Sequence, residues 1–535
     1  MPRKNARLRP LILVTALLAL CGWNAAANPE ATSTGPQLVP AVCFAPDTPE
    51  EAVRQTYTRH FQTQLLNSLT GQFQKFQFAD GDRWTTTATD PGPLGQGDPT
   101  TLTWSIVPDG TSIFGYNGEP TSPSNLQAFL NSIYGSQAVW LPIIEGVFAR
   151  WGDLNGVTYV FEPNDDGSPW TQFTIAPGVL GVRGDVRISG HFIDGPGFTL
   201  AYNFFPNFGD MVIDTGDTAY LNTANDSLVF RNVLAHEHGH GLGIRHVCPV
   251  NQTKLMEPFL STNFDGPQFD DILAANRGYG DDFEDNDAPG IAADLGLVTP
   301  GTGGGAAISP SLDDNSDRDV YAITTSGGQQ ISVTATPLGT TYLSGPQLGS
   351  GACTPGTPFN PLDNQDLSIE VLDTNGSTVL GSVNATGAGS AESLSGVALP
   401  GAGTFFISID GGTNNEAQLY DFSFSVDPVP GGYVHSVTPG TAGANNTFSV
   451  SGATPGQTTF FVFGLNPGSF NVPGCPGATV GMSDVNILST SVADGAGNAT
   501  FGPIFVGGGL SGVTVLFQAV ELSTCTVSNL VVNTF

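Results

Sequence analysis

His236-Glu237-His238-Gly239-His240-Gly241-Leu242-Gly243-Ile244-Arg245-His246 holds four of the seven histidines in a chain of 535 residues. Residues 228–243 read as a helix, on which His236 and His240, four positions apart, project from one face. Two imidazoles so placed can share one Zn²⁺ at ~2.0–2.1 Å each. Gly243 can take a left-handed conformation, end the helix and turn the chain back. That reversal lets His246 supply a third ligand. A tetrahedral ion then keeps one position open for water, as catalytic rather than structural zinc sites do. Glu237 follows the first ligand directly, so its carboxylate reaches that water without occupying the metal. It can take the water's proton during attack on an amide carbonyl and pass it to the leaving amine. His238 lies two positions from each helical ligand and points away, which suits a surface or supporting role. His60, His191 and His435 are isolated and read as structural or exposed.

The rest of the composition bounds what such a site serves. Lys plus Arg number 16 against 48 Asp plus Glu, a formal charge of −32. That excess rules against nucleic acid as a partner, because phosphate binding needs a positive face. With 69 Gly and 39 Pro the chain is turn-rich, yet 39% apolar residues, 34 of them Phe, can build real cores. Length suggests three or four domains at ~150 residues each.

Basic residues within 2–10, the apolar run Leu11 to Leu20 and the small-residue site Ala25-Ala26-Ala27 read as a secretory signal peptide over 1–27, with lipidation at Cys21 as the alternative. The apolar run is short of the ~20 residues a bilayer needs, and no later stretch has the length. The mature chain is expected to be secreted and extracellular. Five cysteines then remain, Cys43, Cys248, Cys353, Cys475 and Cys525, and an odd count leaves at least one unpaired within the chain. Cys475 and Cys525 stand alone beyond Cys353 and are the best bridge candidate. Cys43 is open between a disulfide to Cys248 and another purpose.

Residues 28–81 form a pro-like or linking segment with one helix. Its start reads from Thr48-Pro49-Glu50-Glu51, with Thr48 as cap and Glu51 closing a capping box. Residues 82–280 hold the chemistry, a strand at Leu102 to Ile106, and a helix from Val139 to Trp151 with Val139, Ile143, Val147 and Trp151 on one face. Past Gly280 the texture changes to an acidic linker, Asp281 to Asp287, and then short β-rich runs. A Pro-Gly break at Pro428 to Gly432 divides these into 282–428 and 431–535. Neither part shows a catalytic constellation, and both read as attachment, stability or substrate-capture modules.

The spaced run His-Glu-x-x-His-x-x-Gly-x-x-His, followed by Lys254-Leu255-Met256-Glu257-Pro258, resembles the metzincin zinc peptidases, in which a methionine turn lies beneath the zinc histidines. Within them, Phe192 to Ala201 is similar to the matrixin calcium loop and edge strand. Gly209 to Asp214 is similar to the segment with the next calcium ligand, and Asp270 to Gly280 to the final helix. The likeness covers residues 82–280. It implies a multidomain chain, an α+β metzincin-like catalytic domain (a twisted mixed sheet plus helices) followed by two all-β sandwich-type domains. It also implies catalytic Zn²⁺ on His236, His240 and His246, Glu237 as general base, and Met256 packed below.

A structural Ca²⁺ is implied at Asp194, Gly195, Gly197, Thr199, Asp214 and Asp217. Carboxylates among glycine-freed carbonyls suit a cation that takes 6–8 oxygens, with a solvated acidic loop as the competing account. Positions that hold a second zinc in the family carry Arg187, Ser189, Tyr202 and Val212 here, so calcium is expected without it, with Tyr202 and Val212 filling the space. The edge strand, through Phe198, Leu200 and Ala201, is expected to pair with an extended substrate, while Pro258 and Phe259 wall an apolar pocket. Cys43-Phe44-Ala45-Pro46-Asp47 is similar to the matrixin propeptide segment whose thiolate blocks zinc, although that segment's Arg and Gly are missing. Phe283 to Asp287, Asp317 to Tyr321, Asp366 to Ile369 and Gly401 to Phe406 resemble a bacterial pre-peptidase C-terminal domain, a β-sandwich whose acidic turns can take Ca²⁺.

The expected function is a secreted zinc-dependent endopeptidase acting on proteins or peptides. The alternatives are a surface or matrix binding protein whose peptidase-like domain is inactive and whose β modules adhere, and a zinc hydrolase of non-peptide substrates. Intact Glu237 and three intact histidines favour the first.

Overall fold

The computed structural model of the chain describes residues 40–64, 83–298, 301–305, 310–326, 329–428 and 432–535. The predicted leader over 1–27, residues 28–39 and 65–82, part of the Pro-Gly break at 429–431 and the side chain of His60 lie outside that description. The fold is mostly β, with few helices and several sheets.

One sheet carries the strands β1 (Ala41–Phe44), β2 (Thr100–Ile106), β3 (Val157–Phe161), β4 (Val186–His191), β5 (Thr199–Asn203) and β6 (Met211–Asp214), in the order β1-β5-β6-β4-β2-β3. From β6 to β3 the neighbours run parallel, β5 is antiparallel to β6, and β1 is antiparallel to β5. Every residue of β4, β5 and β6 is buried. These strands are covered on both faces and therefore read as continuous runs without alternation.

Helices α2 (Leu126–Tyr134), α3 (Gln137–Gly152), α4 (Ala224–Gly241) and α5 (Phe269–Tyr279) contribute to the core on this sheet. The face that α3 buries is Trp140, Ile144, Val147, Phe148 and Trp151, whereas Val139 is 52% exposed. The expected face was thus offset by one position at its start. The helix is apolar nearly all round, so two four-residue series are complete in its sequence, and the one led by the larger aromatic removes more surface from water. Helix α1 (Glu50–Gln64) begins where expected, with Thr48 just before it. Its hydroxyl donates to the Ala45 carbonyl at 2.8 Å, and Glu51 pairs with Arg54 and Gln55.

Past residue 282 alternation takes over, and Gln329–Pro337 switches between buried and half-buried residue by residue. A five-stranded sheet and a four-stranded path pack Tyr321, Ile331, Ile369, Phe405, Phe422 and Phe424 into one core. Later strands enclose Phe448, Phe461 and Phe517 in another, and Cys475 is bridged to Cys525. Between Pro337 and Ser368 the chain leaves these sheets. Strands β8 (Tyr342–Pro346) and β9 (Thr357–Phe359) form a hairpin, and β8 also pairs with β7 (Val247–Cys248), immediately after His246. Among the described residues no helix is long and apolar enough to cross a membrane.

Candidate metal centre

Asn225, Asp226 and Ser227 hold left-handed dihedrals, so the regular part of α4 starts at Leu228. Gly243, at φ +98°, ends it. Its N–H donates to the His240 carbonyl at 2.9 Å and the Ile244 N–H to the Gly239 carbonyl at 3.0 Å, the bond pair of a Schellman turn. The reversal delivers His246 to the two helical histidines. The three Nε2 atoms stand 3.1 Å apart pairwise, against ~3.3 Å for three corners of a tetrahedral zinc site.

All three rings are buried. Burial pushes His236 down to about 4, burial and the His236 ring push His246 down to about 3, and His240 lies well below its ordinary value. They are neutral at pH 7, as metal ligands must be. Each Nδ1–H has an acceptor at 2.7 Å: the Leu255 carbonyl for His236, the Ile244 carbonyl for His240, and Gln347 Oε1 for His246. A neutral ring that donates from Nδ1 leaves Nε2 bare, so three lone pairs converge on one point. The cluster could hold a metal ion, and its donor set fits zinc.

Met256 is fully buried beneath the helix. A Cβ on Gly239 would fall well inside van der Waals contact distance of Met256 Sδ, so the glycine between the two ligands makes room for the methionine. Asp271 of α5 fixes this turn by accepting from the Leu255 and Met256 N–H groups at 2.8 and 3.0 Å. Since Leu255 in turn orients His236, Asp271 acts on the site through one peptide unit. Neither Asp271, Gln347 nor Gly239 was singled out from sequence. Their roles depend on partners from other elements, and only the Gly between two histidines left a local signal.

Glu237 is fully buried, and neither carboxylate oxygen has a hydrogen-bond partner. Burial raises its pKa well above the carboxylate range, while the nearby Cys43 backbone amide opposes that rise. His238 points away from the trio as expected, but it is buried and not at the surface. Its Nε2 meets the Tyr159 hydroxyl at 2.7 Å among Phe148, Tyr159 and Trp151. His191 lies 3.2 Å from Glu119, and His435 Nδ1 meets the Ser449 carbonyl.

The elements expected to grip a substrate are occupied by the chain itself. Strand β1 pairs with β5, with Cys43 opposite Ala201 and Val42 opposite Tyr202. On its other side the Phe44 N–H donates to the Pro258 carbonyl at 3.1 Å and the Leu260 N–H to the Phe44 carbonyl at 3.0 Å. Ala45 N–H donates to the Phe198 carbonyl at 2.8 Å. Phe44 is buried against Phe259 and Tyr57. Leu200 and Ala201 are buried, and Phe198 is 39% exposed. Cys43 is a free, buried thiol whose Sγ lies within 4.8 Å of ligand atoms of His236 and Glu237. The bridge to Cys248 considered for it is corrected, since Cys248 is joined to Cys353.

In the loop expected to hold calcium the carboxylates accept from amides of the same loop. Asp214 accepts from the N–H groups of Ile193, Asp194, Gly195 and Gly216. Asp217 accepts from Gly197 and Ala219, and Asp194 from Thr199. Four donors fill the lone-pair sites of one carboxylate, so Asp214 ties the loop together. Among the described residues, carboxylates converge instead at Glu284, Asp287 and Asp317. Where the family's second zinc would lie, Arg187 pairs with Asp165 at 2.7 Å with both side chains wholly buried. Ser189 donates to the Met211 carbonyl, Tyr202 donates to Glu119, and Val212 is buried in the same core as Tyr202.

No curated protein matches the chain. Among solved structures, the CBM22-1–CBM22-2 tandem domain from Paenibacillus barcinonensis Xyn10C is similar at 9% identity and a TM-score of 0.14, over 44% of this chain and 85% of that one. A calcium-binding mutant of Bacteroides uniformis beta-glucuronidase 2 is similar at 11% identity and a TM-score of 0.11, over 40% of this chain and 25% of that one. The family model of the matrixins, Peptidase_M10, matches residues 182–280. That stretch contains the three converging histidines, Glu237 and Met256, and is similar to the matrixins.

Proposed function

We propose that the chain is a secreted zinc-dependent endopeptidase, and that the form described here holds its own residues 41–45 where an extended substrate would lie. The observation that carries the reading is the convergence of three neutral imidazoles through bare Nε2 atoms 3.1 Å apart, with the Glu237 carboxylate beside them. Zinc on His236, His240 and His246 would polarise the scissile carbonyl and lower the pKa of bound water from 15.7 to around 7. Glu237, buried and without another partner, takes the water's proton and returns it to the departing amine.

Substrate is held by main-chain groups of β5 on one side and of Pro258 to Leu260 on the other, the same groups that β1 now engages. Phe259 contributes the apolar wall. The two disulfides are consistent with an oxidising, extracellular setting.

The test is zinc content and casein cleavage by the chain after removal of residues before 83, beside Glu237→Gln. One zinc per chain, cleavage by the parent and none by the variant are expected. A zinc-loaded parent that leaves casein intact would favour the binding-protein alternative.

A further inference from the structure

Two of the three Nδ1–H groups at the metal centre are held by carbonyls of the matrixin-like stretch itself, those of Leu255 and Ile244. The third, on His246, is held by a side chain 101 positions further along the chain, Gln347 Oε1 at 2.7 Å. We propose that Gln347 is a positioning residue for zinc, so that the hairpin of β8 and β9, and not residues 182–280 alone, completes the metal-binding unit. The inference rests on the zinc reading above.

An imidazole can present either nitrogen, and a proton on Nε2 would bar His246 from the ion. An acceptor at Nδ1 keeps the proton there and fixes the ring plane. Gln347 is built to be that acceptor. Its Nε2 donates to the Gly351 carbonyl at 2.8 Å, which leaves Oε1 to face the histidine. The hairpin is fastened to the chain just past His246 in two ways. Gly345 and Pro346 pair with Cys248 and Val247, and Cys353, which lies opposite Gln347, is bridged to Cys248. The acceptor and the ligand therefore sit on one cross-linked frame.

Tyr57 also approaches His246 Nδ1, at 2.9 Å, but its hydroxyl donates to Gln347 Oε1 at 2.7 Å. A hydroxyl can give or take a proton, so it does not specify the tautomer, whereas an amide oxygen only accepts. Tyr57 also belongs to α1, directly after the strand that must leave the cleft before a substrate enters. Gln347 is the partner that stays.

The experiment uses the full chain and measures zinc affinity by competition with a chromogenic chelator, with and without Tyr57→Phe. Gln347→Leu keeps the volume and removes the acceptor, and is expected to weaken zinc binding about 10–100-fold, most clearly in the Tyr57→Phe background. Gln347→Glu, which keeps an acceptor, is expected to restore it. Should Gln347→Leu fail to fold, Gln347→Asn withdraws the acceptor by one methylene and is expected to weaken binding likewise. Unchanged affinity in the folded acceptor-withdrawing variant, or no rescue by Gln347→Glu, overturns the inference. A zinc-loaded wild type inert toward peptide bonds sinks the peptidase reading and leaves this inference standing, whereas a wild type that binds no zinc overturns both.

Discussion

Gly239 stands between two histidines whose chemistry is plain, and its own contribution is an absence. Met256 Sδ fills the space its side chain would need, in a position with no solvent exposure. Gly239→Ala should therefore overpack the site and cost about 1–3 kcal/mol, read from the urea midpoint. Combining it with Met256→Ala should cost less than the sum of the two, because they share one space. An additive result would show that the glycine serves the backbone alone. A second residue-scale prediction concerns Arg187 and Asp165, an ion pair with both side chains fully buried. Asp165→Asn leaves the guanidinium uncompensated and should cost roughly 3–5 kcal/mol in thermal or chemical unfolding. At this scale the helical ligands and Glu237 were legible because their geometry is local, set by helix period and one glycine. Asp271, Gln347 and Glu119 were not, since each acts on a partner delivered by another element.

The same division appears among the elements. Strand β5 was expected to bind an extended chain, and its occupant turned out to be β1, which no pattern could have placed: the pairing uses main-chain bonds that every sequence offers. Helix α3 was legible as a helix, but an apolar surface all round hides which stripe faces the core. Removal of residues before 83 should raise casein cleavage by roughly tenfold or more, because a tethered competitor acts at a high effective concentration. Equal rates before and after removal would mean that β1 is no barrier. The hairpin 342–359 shows the limit most clearly. Nothing in its sequence says that Gly345 and Pro346 pair with residues 247–248.

Across the whole molecule the acidic excess, evident from composition, crowds carboxylates together where residues 281–287 meet residues 313–319. Burial, then the charges of Asp317 and its neighbours, holds Glu284 up to about 9 and Asp313 up to about 10. The unfolded chain loses these protons near pH 4, so the folded state binds more protons above that value and stability falls as pH rises. The three site histidines, neutral when folded, oppose folding only below their ordinary ~6.5. Between pH 7 and 9 in metal-free buffer the melting temperature should therefore decline, and Asp313→Asn should flatten the slope. A rising or level melting curve in the parent would contradict this. The change of texture at Gly280 was visible in the sequence, but this crowding of charge was not, because it joins residues 281–287 to 313–319 through the fold. The central claim is tested most directly by the rate of casein hydrolysis for the zinc-loaded chain freed of residues before 83, set against the same chain with Glu237→Gln. The account predicts a fall of about 10²–10⁴-fold at unchanged zinc content, and equal rates in the two proteins would contradict it.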